Sequence, residues 1–498
     1  MKRLKEYGIS LFALLALAGI ASAQKWQDLK HEPKFPVGAI ALLTDGTVLL
    51  HEEQDKFPQK WYKLTPDNTG SYINGTITPI ASMPVINGTQ YGPWFFGSVV
   101  LPDGRYIVEG GEYNDGQSDW TSLGAIYDPL KNKWTPVSPP AGWTSVGDAQ
   151  SVILPDGTYM QANCCTVQDA LFNPKTLKWT ATGTGKFDVS DEEGWTLLPD
   201  GNVLTIDAYV FLNDPTGKNS EIYNTAKGTW STAGKTPVQL WGASTHEVGP
   251  AVLMPNGTVF ATGANDTAGS PGHTAIYNSK TGKWSKGPDF PMVNGKALDA
   301  ADAPAALEVN GNVVVMTSVG YGNNFPAFFF EWNGKTLTKI PPSLNASQEA
   351  SFYGHFLELP SGQLLFSDFF PEVEVFTPKG TYNKAWAPKI TSAPASVAVG
   401  KTYLVKGTQF SGLSQGAAYG DDFQAATNFA LVRITNKASG HVFYARTTNP
   451  SSFAVQTGTK AESTHFTVSA STELGESSLV VVTNGIPSAP VSLTVQAD

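Results

Sequence analysis

Short apolar runs recur along this chain in pairs, each pair joined by a small polar turn. ALLTDGTVLL, VVLPDGRYIV, VILPDGTYM, TLLPDGNVL, VLMPNGTVF, LEVNGNVVVM and LELPSGQLLF repeat the pattern. The runs are too short for helices, and Asp-Gly or Asn-Gly between two such runs marks a β-hairpin, because those turns demand positive φ. The turn glycines are Gly46, Gly104, Gly157, Gly201, Gly257, Gly311 and Gly362, separated by 58, 53, 44, 56, 54 and 51 residues. That period fits a four-stranded unit repeated around an axis.

A second periodic signal travels with the first. An aromatic stands seven residues before a tryptophan at Tyr127 and Trp134, Phe172 and Trp179, Tyr223 and Trp230, and Tyr277 and Trp284. A hairpin followed by an aromatic strand, a turn and a Trp resembles the kelch-type propellers, and seven hairpins imply seven blades between about Trp26 and Trp386. Past Ala387-Pro388-Lys389 the blade signals stop. KTYLVKGTQF, FALVRIT, HVFYART, HFTVSAS and ESSLVVVTNG then predict alternating short strands of a β-sandwich. Its closing TNGIPSAPVSLTV resembles the C-terminal domain that follows the propeller in galactose oxidase and glyoxal oxidase. The resemblance implies an all-β chain: a seven-bladed kelch-like β-propeller over residues 24–388, followed by a C-terminal immunoglobulin-like (early-set) β-sandwich over 389–498.

Composition agrees with many strands and tight turns, since Gly and Pro together number 83 and charged residues are 15%. Lys2, Arg3 and Lys5, an apolar run from Ile9 to Ala21 and Ala21-Ser22-Ala23 read as an export signal over residues 1–23. The mature chain is then expected to be secreted, periplasmic or extracellular, and to act as a monomer. No later segment has the roughly 20 apolar residues of a membrane span. Removal of the signal takes away three positive charges and one negative, moving the net charge from -10 to -12. An acidic chain without a basic cluster argues against nucleic acid as partner and leaves neutral sugars open.

Function is expected where the seven innermost strands begin, around the axis. The resemblance to galactose oxidase implies that copper ligands and a crosslinked cysteine stand nine and ten residues before each turn glycine. Here the ninth position holds Val37, Phe95, Asp148, Glu192, Val248, Asp302 and Tyr353, and the tenth Pro36, Trp94, Gly147, Asp191, Glu247, Ala301 and Phe352. This column has no histidine, so it does not match a copper-radical ligand set; His246, His355 and His441 are the nearest candidates. Its acids point instead to acid-base work by Asp148, Glu192, Glu247 and Asp302, because grouped carboxylates raise one another's pKa. Trp94, Phe95, Gln150, Tyr353 and His355 would bind the ligand, a carbohydrate or other polyhydroxylated molecule. Glu109 and Glu112 face the same way. The acids also suit Ca²⁺, a hard ion that takes several oxygens. Other readings of the same column are a copper oxidase with an altered ligand set and a non-catalytic recognition or scaffold propeller.

The only cysteines are neighbours, Cys164 and Cys165. In an oxidising compartment an even count favours a bridge, although a loop this short restrains little chain entropy; the alternative is two reduced, buried thiols. They fall seven and eight residues after Gly157, which returns them to the face of Asp148 and Gln150.

Overall fold

The computed structural model describes residues 24–53, 58–209, 217–243, 245–265, 267, 269–320 and 324–498; the expected export signal lies outside them. The chain is all-β and built of small antiparallel sheets. Seven sheets of four strands or more follow one another from Val37–Leu42 to Glu374–Thr377. In each, the innermost strand runs to a predicted turn and the second strand returns.

All seven turn glycines adopt left-handed φ between 77 and 88°. Each donates its N–H to the carbonyl three residues back, as Gly104 does to Leu101 at 2.8 Å and Gly311 to Glu308 at 2.8 Å. The residue before the glycine fixes the turn with its side chain: Asp103 accepts from the Arg105 amide, Asp156 from Thr158 and Asn256 from Thr258. These contacts are the physical reason for the recurring Asp-Gly and Asn-Gly.

The aromatic pairs also have a structural cause. Tyr127 and Trp134, Phe172 and Trp179, Tyr223 and Trp230, and Tyr277 and Trp284 are directly opposed across the third and fourth strands. Their ring centroids lie 4.9 to 5.4 Å apart. Each indole N–H then reaches the preceding sheet, where Trp134 donates to the Ala81 carbonyl, Trp179 to Ser138, Trp230 to the Asp169 carboxylate and Trp284 to the Ser220 hydroxyl. The repeat therefore bonds each sheet to its predecessor.

Lys25–Asp28 supplies the outermost strand of the last sheet, with Trp26 opposite Phe376. The innermost strands touch between the second and third sheets, from the fourth through to the seventh, and between the seventh and the first. Ser367 of the seventh sheet also donates to the Gly38 carbonyl of the first at 2.6 Å.

Residues 389–498 form a path of strands from Lys389–Ser392 to Ser396–Ala398 around a core that includes Val405, Val432, Phe466, Leu479 and Val495. This part sits on the turn face of the seven sheets, where the amides of Phe453 and Asn449 donate to Pro155 and Pro102. One of its connections goes further. Ala417–Ala418 pairs with Ala305 and Ala306, joining the innermost edge of the sixth sheet. This segment carries the chain from the turn face to the opposite face, where the innermost strands begin.

Candidate functional site

At that opposite face the strand starts converge on a pocket of about 150 Å³. Asp148, Glu192, Glu247 and Asp302 line it from the third to sixth sheets, and Glu112 lines it from the connection after Tyr106–Glu109. Asp421 enters from the inserted segment, and the aromatics Phe95, Tyr113, Phe352 and Tyr419 complete the wall. Among the described residues no Lys, Arg or His lines the pocket.

Three of these side chains stand on strained backbone. Phe95, Glu192 and Asp302 occupy the same position nine residues before their turn glycines, with φ of 49, 58 and 47°. Left-handed φ costs a non-glycine residue on the order of 1 kcal/mol or more. It turns each side chain off the strand's ordinary alternation and toward the pocket.

The carboxyl groups form two clusters. One oxygen each from Glu192, Glu247 and Asp302 lie within 4.8 Å of one another, and the same holds for Asp148, Asp421 and Asp422. The carboxyl of Glu247 stands beside those of Glu192 and Asp302, and the carboxyl of Asp421 beside those of Glu192, Asp148 and Asp422. Two carboxyls this close favour a proton on one of them. Burial accordingly pushes Asp148, Glu192, Glu247, Asp302 and Asp422 well above the usual carboxylate range, and neighbouring negative charges push the same way. Burial and then the charge of Asp421 raise Glu112 to about 7.

Other expected site residues stand outside the lining. Gln150 is fully buried beside Glu193 and the Trp195 indole, between sheets and below the pocket. Trp94 precedes the left-handed Phe95 and turns aside, 5.8 Å from the Tyr113 ring. The 3-10 turn Ser351–Tyr353 brings Phe352 rather than Tyr353 to the pocket, leaving Tyr353 against Phe369. His355 lies one layer down, stacked on Tyr419 at 5.1 Å, and burial lowers its pKa to about 4, so it is neutral. Of the expected ligand-binding set, Phe95 alone lines the pocket. Glu109 is buried at the end of its strand, packed where a side chain on Gly124 would stand, while Glu112 reaches the mouth. Glu192 faces the mouth and its neighbour Glu193 turns inward to the buried Lys186.

Cys164 and Cys165 are bridged. The pair borders the mouth without lining it: Cys164 Sγ lies 3.7 Å from an oxygen of Asp191, the residue before Glu192. Burial and then the charge of Asp421 raise Asp191 to about 7.

These positions do not assemble a copper-radical centre. His246 stacks on Tyr209 outside the lining, and His441 lies at the far face between Asn68 and Glu473. Both cysteines are bonded to each other, so neither is available for a link to tyrosine.

Asp421, Asp422 and Tyr419 lie outside the column of positions nine and ten residues before the turn glycines. Their signal is the stretch from Gln409 to Ala430, about twenty residues with little strand pattern in an otherwise all-β chain, and long irregular connections in compact folds are commonly functional.

No family model matches the chain, and no curated protein matches it by sequence. Among solved structures it is similar to a fungal alcohol oxidase of the AA5 family in complex with copper, with a TM-score of 0.52, 14% identity, and coverage of 95% of this chain and 100% of that one. It is also similar to virginiamycin B lyase from Staphylococcus aureus, with a TM-score of 0.47, 11% identity, and coverage of 72% of this chain and 100% of that one. A third similarity is to the extracellular domain of a putative one-component system from B. thetaiotaomicron, with a TM-score of 0.42, 10% identity, and coverage of 85% and 52%. The first of these shows a shared propeller-like fold; chemistry has to be argued from the site. No helix among the described residues is long and apolar enough to cross a membrane.

Proposed function

We propose that this is an exported, extracellular protein: a seven-bladed kelch-type propeller over residues 24–388 with an immunoglobulin-like sandwich over 389–498. Its axial mouth binds a sugar-sized, polyhydroxylated ligand as a monomer and performs acid-base chemistry on it. The observation that carries this reading is the cluster of Glu192, Glu247 and Asp302 in the pocket wall, with one oxygen of each within 4.8 Å of the others. A volume of about 150 Å³ admits roughly one sugar ring. Phe95, Phe352 and Tyr113 offer faces to its C–H groups, and the carboxyls accept from its hydroxyls.

A row of carboxyls joined by shared protons holds an acid next to a base. A neutral member gives a proton to one oxygen of the ligand while an ionised neighbour on the same face takes a proton from another, so the cluster's proton count is unchanged. Oxygens within 4.8 Å of one another stand closer than the roughly 6.5 to 9.5 Å of carboxyls that activate water across a sugar ring, so the arrangement supports a proton-sharing cluster instead. With no histidine in the lining, the donor set gives copper-radical oxidation no support.

The test is binding and turnover over a panel of neutral mono- and oligosaccharides between pH 4 and 8, with Glu247→Gln beside the unaltered protein. The expected result is a loss of at least about 100-fold in turnover, of the size general acid-base catalysis supplies, with binding retained. Binding without turnover in the unaltered protein makes this a recognition module. Failure to retain any sugar overturns the ligand assignment.

A further inference from the structure

We propose that Asp148, Asp421 and Asp422 hold one hard divalent cation, of the chemistry of Ca²⁺, at the floor of the mouth. The assignment is independent of the acid-base reading, which rests on Glu192, Glu247 and Asp302.

The first support is geometric. One oxygen from each of the three aspartates lies within 4.8 Å of the others. Calcium binds oxygens at roughly 2.3 to 2.6 Å, so ligands on opposite sides of one ion stand about 4.6 to 5.2 Å apart. The three oxygens already occupy a shell of that size.

The second support is what these side chains lack. Asp148, Asp421 and Asp422 are 8, 2 and 0% exposed. Asp148 Oδ1, Asp421 Oδ2 and Asp422 Oδ2 are each buried with no hydrogen-bond donor among the described residues. Buried carboxylates are normally paired with a cation or bound to a metal. This protein supplies such a partner elsewhere: the Lys186 ammonium is fully buried, 3.0 Å from Glu193 and 2.7 Å from Glu221. Among the described residues no lysine or arginine lines the pocket. A bound cation would supply the positive partner that these carboxylates lack when ionised.

The third support is fixed placement. Ala418 is paired to Ala305, the Tyr419 hydroxyl donates to the Phe352 carbonyl at 2.8 Å, and Asp422 Oδ1 accepts from the Phe423 amide at 2.6 Å. These contacts hold both aspartates of the inserted segment against Asp148 of the third sheet. An all-oxygen set of this kind selects Ca²⁺, Mg²⁺ or Mn²⁺ over softer ions.

The experiment uses the full chain, stripped with a chelator at pH 7. Calorimetric titration with CaCl₂ is expected to give one ion per chain in this site and a rise of several degrees in the unfolding midpoint. Tb³⁺ in the same site is expected to show emission sensitised by Tyr419 and Tyr113, displaced by Ca²⁺. Asp148→Asn and Asp422→Asn are each expected to lower Ca²⁺ affinity at least tenfold, whereas Glu247→Gln changes it less than about threefold. Absence of both Ca²⁺ uptake and sensitised Tb³⁺ emission in the unaltered chain overturns the proposal, with no dependence on whether a variant folds. Loss of affinity in Glu247→Gln but not in Asp422→Asn also overturns it, by moving the ion to the other cluster. Because these readouts need no sugar, they fail or succeed separately from the turnover test.

Discussion

Glu192 and Asp421 meet side chain to side chain at the axis, one from the start of the fourth sheet and the other from the segment that crosses from the turn face. The contact joins two acids with no cationic side chain in the pocket lining. Buried acids brought together without a positive partner destabilise the fold locally. Asp421→Asn puts an amide donor between Asp148, Glu192 and Asp422, where an ionised aspartate has none. In chelator at pH 7 the variant is expected to be more stable by about 1–3 kcal/mol, the range for satisfying a buried unpaired group. Its Ca²⁺ response is expected to fall. A urea midpoint equal to or below that of the unaltered chain counts against this account.

Acids remote from the mouth make a second expectation, about pH. Burial raises Asp169 and Glu358 to about 7 and Glu308 to about 8. A carboxyl whose folded pKa lies above its unfolded value stabilises the fold below the unfolded pKa, and that stability is lost as pH rises through the folded value. For these groups the loss runs from about pH 4 to about pH 8. Asp67 works in the opposite sense. Despite the burial that opposes it, hydrogen bonds from Thr69, Ser71 and Asn74 lower it to about 2, so its contribution is lost as pH falls from about 4 to 2. The unfolding free energy in chelator is therefore expected to peak near pH 4 to 5 and to decline toward pH 8 by several kcal/mol in total, and the unfolding midpoint to follow it. A midpoint that rises between pH 5 and 8 would refute it.

Much of this architecture is legible in the sequence because its causes are local. The glycine φ values and the Tyr or Phe to Trp pairing are fixed by residues within ten positions of one another, so periodicity exposes them. Asp148, Glu192, Glu247 and Asp302 follow from the same register, and the structure brings them to one pocket. Counting along a strand failed where the backbone leaves the strand. Left-handed Phe95 turns Trp94 away, and the 3-10 turn at Ser351–Tyr353 substitutes Phe352 for Tyr353. Asp421 was hidden for a different reason: its position depends on a long-range pairing of Ala418 with Ala305, and two alanines carry no side-chain signal of that contact.

The bridge between Cys164 and Cys165 joins adjacent residues, so it removes almost no freedom from the unfolded chain. Reduction is expected to shift global stability by less than about 1 kcal/mol. Its effect should be at the mouth, because Cys164 stands against Asp191 and beneath Gly147, the neighbour of Asp148. Ligand or Ca²⁺ affinity is expected to weaken severalfold in the Cys164→Ser, Cys165→Ser double variant while the urea midpoint holds. A large fall in the midpoint would assign the pair to the fold as a whole.

Phe95 separates backbone strain from side-chain contact. Its φ of 49° penalises any residue with a Cβ, and its ring stands 6.5 Å from Tyr419 and 6.1 Å from Phe369. Phe95→Ala loses the ring and keeps the penalty; Phe95→Gly loses the ring and relieves it. At an ordinary strand position glycine is the less stable of the two by roughly 0.5–1 kcal/mol. Here the order is expected to reverse, with Phe95→Gly the more stable by about 1 kcal/mol. Urea midpoints of the two variants decide it, and alanine above glycine would show that position 95 is not held in the left-handed region. Both variants are expected to weaken ligand retention alike, because both remove the same aromatic face from the pocket.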